Sequence, residues 1–135
     1  MANSDSSFLV ARVLVVEDNP INRELAHAQL ESFGCEVETA ENGQIALDRL
    51  AETGFDVVFM DMQMPVLDGL ATIRVLRERE AESTIDARQQ VIALTANTFQ
   101  SDIDACLAAG FDGFIGKPCS IEDMRRVVET ALLAR

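Results

Sequence analysis

The chain has 135 residues, 48% of them apolar, and a formal net charge of −12. That length suits one domain around a single core, and so large an acidic excess excludes nucleic acid and anionic membrane as direct partners, because both repel it. A cation or a basic protein surface is the natural counterpart, and without a bilayer-length apolar run or a signal-peptide pattern a cytoplasmic protein with no direct membrane contact is expected.

Residues 1–7 are polar and without periodicity, which predicts a disordered tail, with the domain occupying 8–135. Phe8 to Val16 is a buried-strand pattern that ends in Glu17-Asp18. Asn19-Pro20 supplies an N-cap and a first helical residue, so a helix is predicted from there to about Phe33, closed by Gly34. Glu36 to Ala40 alternates like a strand at or near a sheet edge, and Gly43 to Glu52 places Ala46, Leu47 and Leu50 on one helical stripe.

Val57 to Met60 is unbroken apolar sequence, the mark of a strand buried on both faces of a parallel sheet. Asp61 is the first residue to leave that run, at the sheet edge where open α/β folds place their ligands. From Asp68-Gly69 to about Ala81 the spacing predicts a helix with Leu70, Ile73 and Leu76 inward, followed by an unpatterned loop over 82–90. A strand over Gln90 to Leu94 ends in Thr95-Ala96-Asn97, and a short helix from Ser101 to Ala109 precedes Gly110. A fifth strand over Asp112 to Ile115 delivers Gly116-Lys117-Pro118. Ser120 and Asp123 form a capping box for the last helix, whose inner face is Ile121, Met124, Val128, Ala131 and Leu132.

Strands alternating with helices predict an α/β fold, a single doubly wound five-stranded parallel sheet in the flavodoxin-like order 2-1-3-4-5 with helices on both faces. That order gathers Glu17, Asp18, Asp61, Thr95 and Lys117 at one edge. Converging carboxylates are tolerable around a hard divalent cation, and oxygen-only ligands point to Mg2+, with Mn2+ as an alternative ion, rather than zinc. His27, the sole histidine, reads as a surface residue in the middle of the first helix, and Cys35, Cys106 and Cys119 as reduced thiols, the first two in the core. Mg2+, the Lys117 ammonium, the Thr95 hydroxyl and loop amides suit a phosphoryl group, with Asp61 as nucleophile.

Four segments carry a family likeness: Val-Leu-Val-Val-Glu17-Asp18-Asn19, Met-Asp61-Met-Gln-Met-Pro-Val-Leu-Asp-Gly, Ala-Leu-Thr95-Ala-Asn and Phe-Ile-Gly-Lys117-Pro. In these the chain resembles the receiver domain of two-component response regulators, from about Ala11 to Leu133. The resemblance implies Asp61 as phospho-acceptor; Glu17, Asp18, Asp61 and the Gln63 backbone carbonyl as metal ligands; and Lys117, Thr95 and the Met62 and Ala96 backbone as phosphate contacts. It also implies a cis Lys117-Pro118 bond and a switch in which Thr95 moves and Phe114 rotates inward. Phe114 lacks a hydroxyl to hold it outward, so an inward ring is expected. The moving surface would be the fourth helix, fifth strand and last helix.

The wording of these segments is most similar to receivers of hybrid sensor histidine kinases, which leaves two parents: an excised domain of such a kinase or a single-domain regulator, monomeric or dimerising on phosphorylation. The implied partner is an external phosphohistidine on a histidine kinase or histidine phosphotransfer domain. Other classes stay open at this stage. A Mg2+-dependent phosphohydrolase commonly needs an acid two residues after Asp61, where Gln63 stands; without it only slow loss of the phosphoryl group is expected. A flavodoxin-type carrier would need flavin-stacking aromatics, and the chain has no Trp or Tyr. A phosphorylation-independent interaction domain usually lacks Asp, Thr or Lys from the set, and all are present here.

Overall fold

The structure, a computed structural model, describes residues 10–62, 68–82, 88–96, 100–117 and 120–134. Its strands are β1 (Arg12–Val16), β2 (Glu36–Ala40), β3 (Val57–Asp61), β4 (Val91–Thr95) and β5 (Gly113–Gly116). The helices are α1 (Pro20–Glu31), α2 (Gly43–Glu52), α3 (Gly69–Glu82), α4 (Gln100–Ala109) and α5 (Ile121–Ala134). All strand pairs are parallel and the order is β2-β1-β3-β4-β5, as the alternation of elements predicts.

The unbroken apolar runs have a direct cause. Val13, Val15, Val57 and Phe59 pack on one face of the sheet with Leu30, Met124 and Val128 from α1 and α5. Their neighbours Leu14, Val16, Val58 and Met60 pack on the other with Leu47, Ile73 and Cys106 from α2, α3 and α4. Alternate residues point to opposite faces, so two buried faces leave no polar slot in β1 or β3. Cys35 and Cys106 are both buried, as core thiols should be.

Several boundaries differ from the sequence reading for identifiable reasons. β1 begins at Arg12, because its partner β2 begins at the paired Glu36; Val10 is outside the ladder and exposed. α1 ends at Glu31, with Ser32 as C-cap and Gly34 at φ 100°, the left-handed conformation that closes a helix without a side-chain clash. Ile121, expected inward, is exposed: it opens α5 ahead of the turn that reaches the core at Met124. The capping box holds, since the Asp123 amide donates to Ser120 Oγ at 3.1 Å and the Ser120 amide to Asp123 Oδ2 at 3.3 Å. The expected tail over 1–7 lies outside the described residues.

The predicted loop over 82–90 hides an anchor. Of it, 83–87 lie outside the described residues, but Gln89 donates and accepts across to the Phe55 backbone, at 2.7 and 3.0 Å. Beside it Arg77 of α3 reaches Asp112 Oδ2, Glu80 Oε1, and the Gln89 and Gly110 carbonyls, each at 2.8–2.9 Å. This clasp ties α3 to the amino-terminal ends of β4 and β5. The carboxyl-terminal ends of the strands carry the site.

Candidate functional site

Strand parity and register bring the distant residues together. Val16 pairs with Met60, so Glu17 and Asp61 stand at the same level, one step further along neighbouring strands. Glu17 follows Val13 and Val15, Asp61 follows Val57 and Phe59, and Lys117 follows Ile115 by two residues. All of these belong to the face packed by α1 and α5, so the three functional side chains emerge on the same side. Asp61 is the last residue of β3, at its carboxyl end as expected, but it is 5% exposed and so has not left the buried run. The ladder continues past it, because the Met62 amide donates to the Leu94 carbonyl at 3.1 Å.

Glu17, Asp18 and Asp61 each offer a carboxylate oxygen, and these atoms lie within 4.8 Å of one another. Glu17 is buried and Asp18 exposed. Lys117 Nζ lies 3.1 Å from Asp61 Oδ1 and 3.3 Å from Glu17 Oε1, a cation bridging two acids. Its backbone amide donates to the Thr95 carbonyl at 2.7 Å, which sets where the side chain starts. A cleft of about 240 Å3 is bounded by these residues together with Asn19, Asn22, Met62, Leu94, Thr95 and Ala96.

Burial first, then a hydrogen bond with Asp61, push the Glu17 carboxyl up to about 7; the Asn19 amide and the Lys117 charge pull the other way without prevailing. Burial by itself would lower the Lys117 ammonium. The hydrogen bond to Asp61 and the charges of Asp61 and Glu17 outweigh it and raise the group, so Lys117 is cationic throughout the physiological range. One ammonium does not neutralise three carboxylates. A second positive charge of high density, with oxygen-seeking chemistry, completes the site, which is the demand a Mg2+ ion meets through carboxylates and retained water. The residues present fit that ion.

Other loop contacts define the acid pair. The Asn19 amide donates to Glu17 Oε2 at 3.2 Å, while Asn19 Oδ1 accepts from the Ile21 and Asn22 amides and caps α1. The Arg23 guanidinium donates to the Glu17 carbonyl at 2.9 Å and more weakly to that of Asp18 at 3.4 Å. In sequence Asn19 before Pro20 reads as a cap, and no spacing ties Arg23 to the acids. Gly69 was also missed as a site residue: a Cβ there would sit 2.9 Å from both the Asp61 carbonyl oxygen and Met62 Cα. The Asp68-Gly69 dipeptide at the start of α3 is the sequence signal of that close approach.

One amide is engaged and one expectation is corrected. The Met62 amide, which the resemblance assigns to a phosphate contact, donates to the Leu94 carbonyl at 3.1 Å. Phe114 is 38% exposed, so its ring is not tucked inward; it lies on β5 beside Ala93, while Thr95 at the end of β4 is buried. Gln63 and the Pro118 half of the Lys117-Pro118 bond lie outside the described residues. His27 pairs with Glu31 at 3.3 Å on α1, away from the cleft residues, consistent with a surface role.

An aspartate ends the central strand of this five-stranded doubly wound sheet, two acids follow the neighbouring strand and a lysine follows the fifth, the arrangement that the receiver-domain resemblance implies. Residues 13–129 match the response regulator receiver domain family. The chain belongs to that family and is a receiver domain of the two-component phosphorelay class. It is 38% identical over 128 residues to hybrid signal transduction histidine kinase L of Dictyostelium discoideum, matching 93% of this chain and 7% of that protein. The chain spans between 5% and 16% of the length of such curated relatives.

Among solved structures it is similar to the receiver domain of the sensor histidine kinase PA1611 of Pseudomonas aeruginosa, which has a magnesium ion coordinated in its active site cleft. The TM-score there is 0.80 at 32% identity, covering 91% of this chain and 98% of that one. It is likewise similar to the Ssk1 receiver domain of Saccharomyces cerevisiae co-crystallised with the histidine phosphotransfer protein Ypd1, with TM-score 0.82, 30% identity, and 90% and 88% coverage. No helix among the described residues is long and apolar enough to cross a membrane.

Proposed function

We propose that Asp61 accepts a phosphoryl group from a phosphohistidine carried by a histidine kinase or a histidine phosphotransfer domain. The observation that carries this reading is the Lys117 ammonium 3.1 Å from Asp61 Oδ1, beside the acids of Glu17 and Asp18. An Asp61 carboxylate oxygen forms the new bond to phosphorus as the phosphorus–nitrogen bond breaks, and the imidazole leaves with that electron pair. The product is an acyl phosphate and a free histidine. Glu17, Asp18 and Asp61 would hold Mg2+, or Mn2+ in its place, and the ion supplies neutralisation of phosphoryl oxygens when bound.

The chain's own groups do the rest. Lys117 lies where it can exchange its bond to Asp61 for one to a phosphoryl oxygen, and Thr95, which lines the same cleft, has a hydroxyl that would serve as a further donor. The Ala96 backbone borders the same cleft. Phosphorylation moves the negative charge of Asp61 outward onto the phosphoryl oxygens and increases it, which redistributes the hydrogen bonds at the ends of β4 and β5, and the surface of α4, β5 and α5 changes with it. Phe114 starts outward, so the inward turn of its ring is the motion that phosphorylation would drive. The domain would work in the cytoplasm, as part of a hybrid kinase or as a separate regulator, monomeric or dimerising on phosphorylation.

Incubation with acetyl phosphate and Mg2+ followed by intact-mass measurement tests the chemistry. Wild-type protein should gain one phosphoryl group and Asp61→Asn none. Absence of uptake by wild type, or equal uptake by Asp61→Asn, would sink the assignment.

A further inference from the structure

The acid pair at the end of β1 is held by contacts of its own backbone. The Glu17 peptide is clamped on both sides: its amide donates to the Ala40 carbonyl at 3.0 Å, and its carbonyl accepts from Arg23 at 2.9 Å. The same guanidinium nitrogen reaches the Asp18 carbonyl at 3.4 Å. Arg23 lies one turn into α1, and helical side chains lean back toward the amino terminus, so its reach over the two residues before the cap follows from helix geometry. It forms no salt bridge among the described residues, although the chain carries 23 acids, and the guanidinium instead serves two backbone oxygens. That one nitrogen carries two N–H donors fixed in the guanidinium plane, so less side-chain freedom is lost in serving the two carbonyls than with a flexible ammonium.

Resting on the proposed phosphoryl acceptor, we infer that Arg23 is a positioning residue for the divalent-cation site, fixing the Glu17–Asp18 backbone so that both carboxylates face Asp61. The need for such a device is electrostatic. Three acids within 4.8 Å repel one another, and the exposed Asp18 gains hydration by turning away. A carbonyl held from behind leaves the chain fewer ways to turn. Asn19 completes the arrangement, because its amide holds Glu17 Oε2 while its own carbonyl accepts from the Arg23 amide at 2.9 Å. Arg23 thus locks the acid loop to the first turn of the helix that follows it.

Charge and position make opposite predictions, which makes the role testable. If Arg23 acted through its charge alone, removing it would tighten binding of a dication and Arg23→Lys would change nothing. As a positioning residue, Arg23→Gln should weaken Mg2+ binding about tenfold, the lower end of what partners of metal ligands typically contribute, and Arg23→Lys should recover only part of that loss. Binding is read by calorimetric titration of Mg2+ into each purified chain. Amide hydrogen exchange by NMR supplies a local readout: the Asn19 amide, bonded to Glu17 Oε2, should exchange faster in Arg23→Gln, while amides of β2 and α2 stay as in wild type. Mg2+ affinity unchanged or tighter in both variants, with wild type binding normally, overturns the role of Arg23 and leaves the phosphoryl acceptor standing. No Mg2+ binding by wild type overturns both.

Discussion

Gly69 opens α3 directly against Asp61, the proposed phospho-acceptor, which makes Gly69→Ala a stringent probe of how tightly the site is built. An added Cβ would stand 2.9 Å from the Asp61 carbonyl oxygen, 2.9 Å from Met62 Cα and 3.2 Å from Met62 Sδ, where ordinary contact starts at 3.4 Å. The sulfur can swing aside, but two of the three obstacles are backbone, so relief requires β3 and α3 to part by about half an ångström. Overpacking of this kind costs about 1–3 kcal/mol, and Ala in place of helical Gly returns about 0.5–1 kcal/mol. The net expectation is a loss of roughly 1–2 kcal/mol, read by urea unfolding followed by far-UV circular dichroism, since the chain has no Trp or Tyr to report by fluorescence.

The functional loss should exceed the stability loss. Misplacing a reacting group by an ångström can lower a rate by about a hundredfold, so the smaller shift predicts roughly tenfold slower phosphoryl uptake from acetyl phosphate by the folded variant. Gly54→Ala is the control, because nothing lies within 4 Å of a Cβ at that position. Uptake by Gly69→Ala within twofold of wild type would refute the claim that the Asp61–Met62 backbone is held against α3.

Other perturbations have equally definite outcomes. Lys117→Ala should still take up some phosphoryl group but transmit it poorly; amide shifts of α4, β5 and α5 on adding beryllofluoride and Mg2+ that match wild type would remove Lys117 from the switch. Glu17 binds its proton more tightly folded than unfolded, about 7 against 4.5, so through this group the metal-free protein should lose stability as pH rises from about 4.5 to 7 and level off above. Urea midpoints across that range check the sign. Mg2+ competes with the same proton, so its affinity should climb as pH rises through about 7, measured by titration calorimetry in buffers of different pH. Arg77→Ala takes the guanidinium from Glu80 and leaves Asp112 with that of Arg88, and should cost about 2 kcal/mol in urea unfolding; a loss below about 0.5 kcal/mol would show that the clasp is ornamental.

The local chemistry was legible wherever residue type and period carry the signal. Two-sided burial wrote the unbroken runs of β1 and β3, Asn19, Asp68 and Ser120 announced helix starts that the structure caps as expected, and Gly34 and Gly110 mark helix ends with positive φ. The acids at the ends of β1 and β3, the Thr ending β4 and the Lys after β5 are therefore assigned to one sheet edge by sequence alone. What sequence could not show is how backbone meets backbone. That β3 includes Asp61 and occupies the Met62 amide depends on its pairing with β4. That Phe114 is exposed depends on packing at the end of β5, and that Gln89, Arg77 and Asp112 form one clasp depends on three segments meeting.

Order and spacing of residues by themselves determined the layered fold and the membership of the acidic cleft, because burial on two faces and the edge rule for parallel sheets act through residue type. Register, the hold of Arg23 and Asn19 on the acid loop, and the closeness of Gly69 to Asp61 belonged to tertiary structure. Distances of 3 Å between groups remote in sequence come from the sum of many packing contacts, and no single stretch of chain encodes that sum.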